Sequence, residues 1–243
     1  MPKILYFDIE TSYNLCRVWQ CGYKINVGPE TIHTERQIIC ICWKWKGSKK
    51  KYSLDWGLNT QNDADLLKAF SKELAQADVV VGQNSDKFDL RILTGRLAYH
   101  NLPPINNLVT LDTLKLAKRG MNLNSYKLDY MSKFLGGQGK KKMDLQDWID
   151  IIEDEDPKAL KKMIKYCMQD VDELEYVHNR IQPYANTTVH RGVLRGHDRT
   201  TSCPNCGFGT SQKRGVMVTA SGVKKQRLQC TSCGKWFKGE TIK

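Results

Sequence analysis

Hydrophobic residues in the first quarter of the chain follow the pattern of β-strands. Residues 3–10 (KILYFDIE) form an apolar run that ends in acids, and residues 38–47 (IICICWKWKG) alternate apolar and polar positions before a turn. Residues 50–56 (KKYSLDW) are a third candidate strand. Short strands separated by turn residues are typical of a meander, which is the structure we predict for this part of the chain.

The pattern then changes to helices that alternate with short strands. Residues 63–77 carry leucines and a phenylalanine at helical spacing, and residues 78–84 (DVVVGQN) are a continuous apolar strand of the kind covered on both faces. Further helices are predicted at roughly 88–100, within 108–120 after a short strand, at 124–137 with Asn124 or Ser125 as the N-cap, and at 154–184, the longest, with Asp156 as the N-cap and Pro157 at the first position. This order predicts an α/β fold with a mixed sheet.

Composition divides the chain into a larger body and a basic tail. The protein has 243 residues, enough for one domain plus a small one. Residues 185–243 contain 11 Lys and Arg but two Asp and Glu, and so carry +9 of the net charge of +12. Such a tail indicates a polyanionic partner, most simply nucleic acid; a basic surface that only aids solubility is the alternative. Without a membrane-length apolar run or a signal pattern, the sequence predicts a soluble cytoplasmic protein that does not bind a membrane.

Several carboxylates occupy positions that favour a shared site. Asp8 and Glu10 alternate on the first strand and therefore point to one face. Asp89 follows the apolar strand, and Asp170 lies four residues after Tyr166 on one face of the longest helix. If these acids converge, a divalent cation must neutralise them, and oxygen ligands suit Mg²⁺ or Mn²⁺. Taken singly, Asp89 is equally explained as a helix cap and Asp170 as a surface acid.

The order of these segments resembles a nuclease family. FDIET at residues 7–11, NSDKFD at 84–89 and YCMQD at 166–170 are similar to the three motifs of the DnaQ-like, or DEDD, 3′–5′ exonucleases, in particular the phage-encoded type. The spacing from Tyr166 to Asp170 matches the tyrosine subclass, whereas the histidine subclass would need a histidine where Lys165 stands. The resemblance covers residues 1–184 and implies an RNase H-like mixed β-sheet flanked by helices.

The resemblance also implies roles for the individual residues. Asp8, Glu10 and Asp170 would bind a metal ion that activates water, with Asp8 bridging to a second ion and Asp89 completing the acidic set. Tyr166 would orient the attacking water. Two Mg²⁺ or Mn²⁺ ions would thus serve phosphodiester hydrolysis from a 3′ end. Three further residues would hold the terminal nucleotide, with turn formation and core packing as the alternative for each: Thr11, Asn84 and Phe88.

Two pairs of cysteines near the end of the chain have the spacing of a zinc site. Each pair is followed by glycine, and the pairs flank 23 residues that read as a hairpin. Four thiolates in two CxxC knuckles can share one tetrahedral Zn²⁺, whereas a redox role would need a different strand and helix context. The predicted ligands of this one structural Zn²⁺ are Cys203, Cys206, Cys230 and Cys233. Residues 203–243 resemble the zinc ribbons of transposases and phage nucleases, and His190 and His197 are expected to have surface roles.

The predicted ribbon mixes cations with aromatic residues, a combination that suits a phosphate backbone and stacked bases. The candidate nucleic-acid-binding residues are Lys213, Arg214, Lys224, Lys225, Arg227 and Trp236. Lys235, Lys238 and Phe237 lie among them, and a small ribbon core is the alternative role for Trp236 and Phe237. Residues 185–202 between the two domains read as a linker.

The function predicted from the sequence is a metal-dependent 3′–5′ exonuclease, with DNA favoured over RNA as the substrate. The alternative is a replication or recombination accessory protein that binds nucleic acid and keeps the nuclease fold as a platform. A polymerase or recombination protein would then be its partner.

Overall fold

The fold was analysed in a computed structural model that describes residues 2–22, 24–25, 27–58, 60–105, 108–139, 143–185 and 189–242. Its strands are β1 (Ile4–Thr11), β2 (Leu15–Cys16), β3 (Ile32–Thr34), β4 (Ile38–Trp45), β5 (Lys51–Asp55), β6 (Val79–Gly82), β7 (Thr110–Asp112), β8 (Ser211–Val218), β9 (Lys224–Cys230) and β10 (Trp236–Thr241). Its helices are α1 (Ala64–Leu74), α2 (Asp89–Tyr99), α3 (Thr113–Gly120), α4 (Leu128–Phe134), α5 (Leu145–Ile152), α6 (Pro157–Ile181) and α7 (Arg191–Leu194).

A five-stranded mixed sheet with the order β5-β4-β1-β6-β7 organises the first 185 residues. The first three long strands, β1, β4 and β5, pair antiparallel as the predicted meander, and β6 and β7 join them in parallel with β1. Because β1, β6 and β7 are parallel, their carboxyl ends meet at the same edge of the sheet. That edge is where an open α/β sheet holds its functional side chains.

The two faces of the sheet are covered by different helices. Phe7 and Trp43 contact Phe70 of α1, with ring centroids 5.8 and 5.4 Å apart. On the other face, Tyr6 reaches His178 of α6. Alternation along β1 then decides which residues face α6, since side chains two residues apart share a face. Asp8 and Glu10 follow Tyr6 on the α6 face, while Phe7 and Ile9 belong to the buried core on the α1 side.

The helix boundaries show where local signals are reliable. Helix α6 begins as predicted, because the Asp156 carboxylate accepts a hydrogen bond from the backbone N–H of Lys158 at 2.8 Å. The predicted cap of α4 is wrong: this helix begins at Leu128, after Lys127, whereas the Ser125 hydroxyl only accepts a bond from the Lys127 backbone. Helix α5 was not predicted at all. It is one short amphipathic segment opened by a capping box at Asp144.

The C-terminal residues form a separate three-stranded antiparallel sheet in the order β10-β9-β8. The predicted linker at 185–202 contains α7 and a buried arginine, Arg191, that contacts the larger domain. Arg191 Nη2 donates to His178 Nε2 at 2.7 Å. This part of the chain therefore has contacts of its own, beyond joining two domains. Across the described ranges, no helix combines the length and the apolar character needed to cross a bilayer.

Candidate active site

Three carboxylates converge where β1 meets α6. Asp8, Glu10 and Asp170 each offer one oxygen, and these oxygens lie within 4.8 Å of one another. Asp8 and Glu10 come from alternate positions of β1, and Asp170 is buried on the face of α6 that covers that strand. Cys167, three residues earlier on α6, packs its sulfur 3.5 Å from the Asp8 carbonyl oxygen and 3.7 Å from its carboxylate. Contact between α6 and β1 thus brings together acids that are 160 residues apart in the sequence.

Asp89 lies beside this cluster and is not a member of it. It is the first residue of α2, and its side chain is 3% exposed. Burial, reinforced by the charge of Asp112, raises the pKa of Asp89 to about 7, although hydrogen bonds from the backbone of Asp89 and Ile9 act in the opposite direction. Ile9 stands between Asp8 and Glu10 on β1, so Asp89 reaches the backbone of that strand between its two acids. The structure thus brings three of the four predicted acids together, with the fourth adjacent, and their roles stay predictions.

The raised pKa of Asp89 predicts a stability that falls with rising pH. Without metal, the Asp89 carboxyl loses its proton near pH 3.9 in the unfolded chain and near pH 7 in the folded protein. Between these values the folded state binds more protons, so the free energy of unfolding decreases as the pH rises. Asp89→Asn should remove this slope and stabilise the protein above pH 7 by up to about 4 kcal/mol, measured by urea denaturation in EDTA. Parallel stability curves for the two proteins across this range would contradict the prediction.

The segment after β6 is held by an acid that sequence reasoning missed. The Asp112 carboxylate, at the end of β7, accepts backbone N–H groups of Asn84 at 3.0 Å and Asp86 at 3.3 Å, and it also caps α3. Asn84 adopts a left-handed conformation with φ +58°, which asparagine tolerates better than most residues. Asp112 thereby fixes the turn that leads to Asp89. Its position between a short strand and a helix indicates an N-cap of α3, but gives no signal of the contact with this turn.

The residues predicted to hold a terminal nucleotide lie around this edge of the sheet. Thr11 is the last residue of β1, next to a register shift at Glu10, and its carbonyl accepts a hydrogen bond from Trp148 Nε1 at 3.0 Å. Asn84 stands in the turn after β6, and Phe88 is 39% exposed just before α2. These positions allow contact with a terminal nucleotide, and the roles of the three residues stay predictions.

Tyr166 lies one turn before Asp170 on α6 and is half-buried. It lines a groove of about 400 Å³ together with lysines and Gln169 of the same helix. One of those lysines, Lys162, forms an ion pair with Asp147 of α5. Tyr166 is therefore one helical turn from Asp170 and borders a basic surface groove, while its role with the attacking water stays a prediction.

The four predicted zinc ligands form a second cluster. The sulfurs of Cys203, Cys206, Cys230 and Cys233 all lie within 4.8 Å of one another, with pairs at 3.7 and 3.5 Å. Four thiolates at the usual Zn–S distance of 2.3 Å in a tetrahedron stand about 3.8 Å apart, so the cluster has the right size for Zn²⁺. The glycines that follow the pairs have φ of +73° and +72°, and each N–H bonds back to the first cysteine of its pair. This turn requires glycine, which explains the CxxCG pattern.

The cationic candidates are spread over the whole ribbon sheet. Lys213 and Arg214 lie on β8, Lys224, Lys225 and Arg227 on β9, and Trp236 at the start of β10. The Arg227 guanidinium stacks over the Trp236 ring at 4.3 Å. Trp236 is 44% exposed, whereas Leu228 and Cys230 on β9 are buried. His190 is outside the cysteine cluster, and its Nδ1 accepts the Val193 N–H at the start of α7.

Comparison with known proteins identifies the larger domain. Over 193 residues the chain is 25% identical to a DNA polymerase of Thermococcus litoralis and 24% identical to a DNA polymerase of Thermococcus aggregans. These matches include 69% of this chain but 11% and 10% of the two polymerases, so the chain spans about a tenth of their length. The structure of the family B DNA polymerase from the archaeon Pyrobaculum calidifontis has the same fold, with a TM-score of 0.58 at 15% identity over 75% of this chain and 25% of that one.

A profile of the RNase H superfamily matches residues 5–182. This range contains the five-stranded mixed sheet and the helices on both of its faces, and it ends directly after α6. The predicted RNase H-like fold is therefore confirmed. Because the matched range is most of the chain, the protein belongs to the RNase H superfamily.

Proposed function

We propose that the protein is a metal-dependent 3′–5′ exonuclease of the DnaQ-like, tyrosine-subclass, phage type. The observation that carries this proposal is the cluster of Asp8, Glu10 and Asp170 at the carboxyl edge of an RNase H-like sheet, with Tyr166 one helical turn away. The boundaries that we propose for its parts are residues 1–184 for the nuclease, 185–202 for the connection and 203–243 for the ribbon.

The donor set suits hard divalent cations. Three carboxylates with oxygens within 4.8 Å of one another match the ligands that Mg²⁺ and Mn²⁺ prefer, and they would repel one another without a cation between them. Asp8, Glu10 and Asp170 would hold two such ions, with Asp89 at their border. When bound, these ions supply an activated water and stabilise the leaving oxygen of the phosphodiester.

The protein's own residues would position the reactants. Tyr166 would hold the attacking water by its hydroxyl, because a phenol with an unperturbed pKa of about 10 is still protonated at neutral pH and cannot accept the proton unaided. Thr11, Asn84 and Phe88 would contact the terminal nucleotide. Asp112 would act through the turn at Asn84 and would be a positioning residue. The ribbon would add affinity for the strand.

DNA is the proposed substrate, because the curated relatives are DNA polymerases. Digestion of oligonucleotides labelled at the 3′ or the 5′ end tests the reaction and its direction. We expect mononucleotides to leave from the 3′ end of DNA with Mg²⁺ or Mn²⁺, and no reaction in EDTA. RNA and duplex DNA serve as the other substrates. Tight binding without cleavage of any of them would favour the accessory protein that uses the nuclease fold as a platform.

Tyr166→Phe tests the positioning role. The substitution keeps the ring in its place on α6 and removes only the hydroxyl, so metal binding should change little. We expect the cleavage rate to fall by roughly 10- to 10³-fold, the range of groups that orient or transfer a proton. Single-turnover cleavage combined with a Mn²⁺ titration separates the two effects, and Tyr130→Phe on α4 is the matched control. An unchanged rate would reduce Tyr166 to a packing role.

A further inference from the structure

A basic groove runs between the ribbon and the segment that connects it to α6. It has a volume of about 640 Å³. One wall comes from the connecting segment, with His190 and Arg199, and the other from the ribbon, with Lys225, Trp236 and Lys238. No carboxylate is among the described residues that line it. The groove therefore brings together cations from the connecting segment and from the ribbon that are 26 or more residues apart in the sequence.

The nearby acid Asp198 offsets one of these positive charges. Its carboxylate accepts hydrogen bonds from the backbone N–H groups of Thr200 at 2.7 Å and Thr201 at 3.2 Å. A bond from the Thr200 hydroxyl, together with these backbone bonds, holds the pKa of Asp198 below the usual range, so the carboxylate stays ionised. Arg199 and the ribbon lysines that line the groove outnumber this one negative charge.

Trp236 gives the groove a feature that a simple anion site would not need. Its large ring remains 44% exposed beside the four Lys and Arg residues of the groove lining, and Arg227 covers part of it at 4.3 Å. Such a ring offers a stacking surface for a base, while lysine and arginine contact the flanking phosphates. A base is available for stacking only where it is not paired within a duplex. The groove chemistry therefore fits a single strand.

The wall that carries His190 and Arg199 is anchored to the nuclease domain. Arg191 lies directly after His190 and is buried, with its guanidinium on His178 and Gln182 of the α6 region. An arginine can only donate, so His178 Nε2 accepts and His178 Nδ1 donates to the Tyr6 oxygen at 2.9 Å. Tyr6 lies on β1 two residues before Asp8. The groove is thus connected to the strand that carries the candidate active site.

We infer that this groove binds a single-stranded segment of nucleic acid, and that the connecting segment and the ribbon form the binding site together. The inference rests on the proposed nuclease function and specifies its substrate surface. It assigns Lys225, Lys238, Trp236 and Arg199 to the bound strand. Lys213 and Arg214 lie on β8, the opposite edge of the ribbon sheet from β10, and are outside this site.

Binding without added Mg²⁺ or Mn²⁺, where hydrolysis is silent and no chelator removes the ribbon zinc, tests the inference separately from the nuclease activity. Fluorescence anisotropy of a long single-stranded DNA is measured against salt for the full chain and for two double variants, Lys225→Gln with Lys238→Gln and Lys213→Gln with Arg214→Gln. Each removes two positive charges. If each groove lysine contacts one phosphate, the groove variant should lower the salt slope by about 1.4, that is, about 0.7 per contact on a single strand. The β8 variant should lower it less, and equal losses would overturn the inference in favour of diffuse attraction.

Two further variants separate stacking from charge. Trp236→Leu should weaken binding of single-stranded DNA about 5- to 150-fold, the range for loss of one base–aromatic stack, and Trp236→Phe should restore part of it. Polyglutamate, a polyanion without bases, is the control ligand, and an RNA strand shows whether the sugar matters. Equal weakening for DNA and polyglutamate, or wild-type affinity of the Trp236→Leu protein, would overturn the inference.

Arg199→Gln should also weaken binding, and zinc content confirms that each variant keeps its ribbon. If the full chain showed these binding results but did not cleave nucleic acid, the proposed function would be wrong and the inference about the groove would stand.

Discussion

Asp8→Asn and Asp170→Asn should each reduce exonuclease activity by several orders of magnitude. Each substitution keeps the shape of the side chain and removes the negative charge that would hold a divalent cation between β1 and α6. Because the like charges of Asp8, Glu10 and Asp170 repel in the metal-free protein, removing one of them should not lower the stability of the fold. Single-turnover cleavage of a 3′-labelled strand measures the rate, and Mn²⁺ titration calorimetry measures the metal site.

Asp65→Asn is the matched control for these variants. Asp65 is exposed in the first turn of α1, on the opposite side of the sheet from α6. The control should keep wild-type cleavage and metal binding. If Asp8→Asn or Asp170→Asn also kept near wild-type turnover, the three-carboxylate cluster would not be the catalytic centre.

Cys230→Ser should remove zinc from the protein and unfold the ribbon. The intact chain should hold about one Zn²⁺ in the four-cysteine cluster, which is the expected content of a single structural site. Few apolar side chains of the ribbon are buried, with Leu228 as the main one, so the metal must supply most of the folding free energy there. Elemental analysis gives the zinc content, and amide hydrogen exchange of β8–β10 reports the loss of order.

Cys21→Ser is the corresponding control, because Cys21 is exposed and outside the cluster. It should retain one zinc ion and a protected ribbon. A second group of thiols makes the result more specific: Cys40, Cys42 and Cys167 are buried with sulfurs within 4.8 Å of one another. If zinc remained after Cys230→Ser and disappeared after Cys167→Ser, the ion would belong to that group, and the assignment of the ribbon site would be wrong.

Local sequence patterns determined much of this protein. Alternation along β1 was sufficient to predict that Asp8 and Glu10 share a face, because side-chain direction in a strand depends only on position. The start of α6 was predictable from Asp156 and Pro157, since capping is a contact between neighbouring residues. The cluster of four cysteines was predictable from their spacing, because each knuckle closes within five residues. In each case the determining interactions join residues that are close together in the sequence.

Tertiary packing decided what lies between these local features. Only the contact of α6 with β1 brings Asp170 to Asp8, and that contact depends on which face of the sheet each helix covers. The same packing leaves Asp89 beside the cluster and gives its pKa a value of about 7, since burial is a property of the folded surroundings. Asp112, whose contacts with Asn84 and Asp86 cross from one strand to another, had no local signal of this role.

The basic groove shows the same division most clearly. The sequence alone shows that the C-terminal region is basic and contains aromatic residues, because composition does not depend on folding. Which cations lie together was decided by packing, because Arg199 of the connecting segment lines one groove with Lys225 of β9 and Lys238 of β10. Arg191 anchors the same segment on His178 of α6. Electrostatic potential depends on distances in space, and those distances exist only once the two parts of the chain are packed.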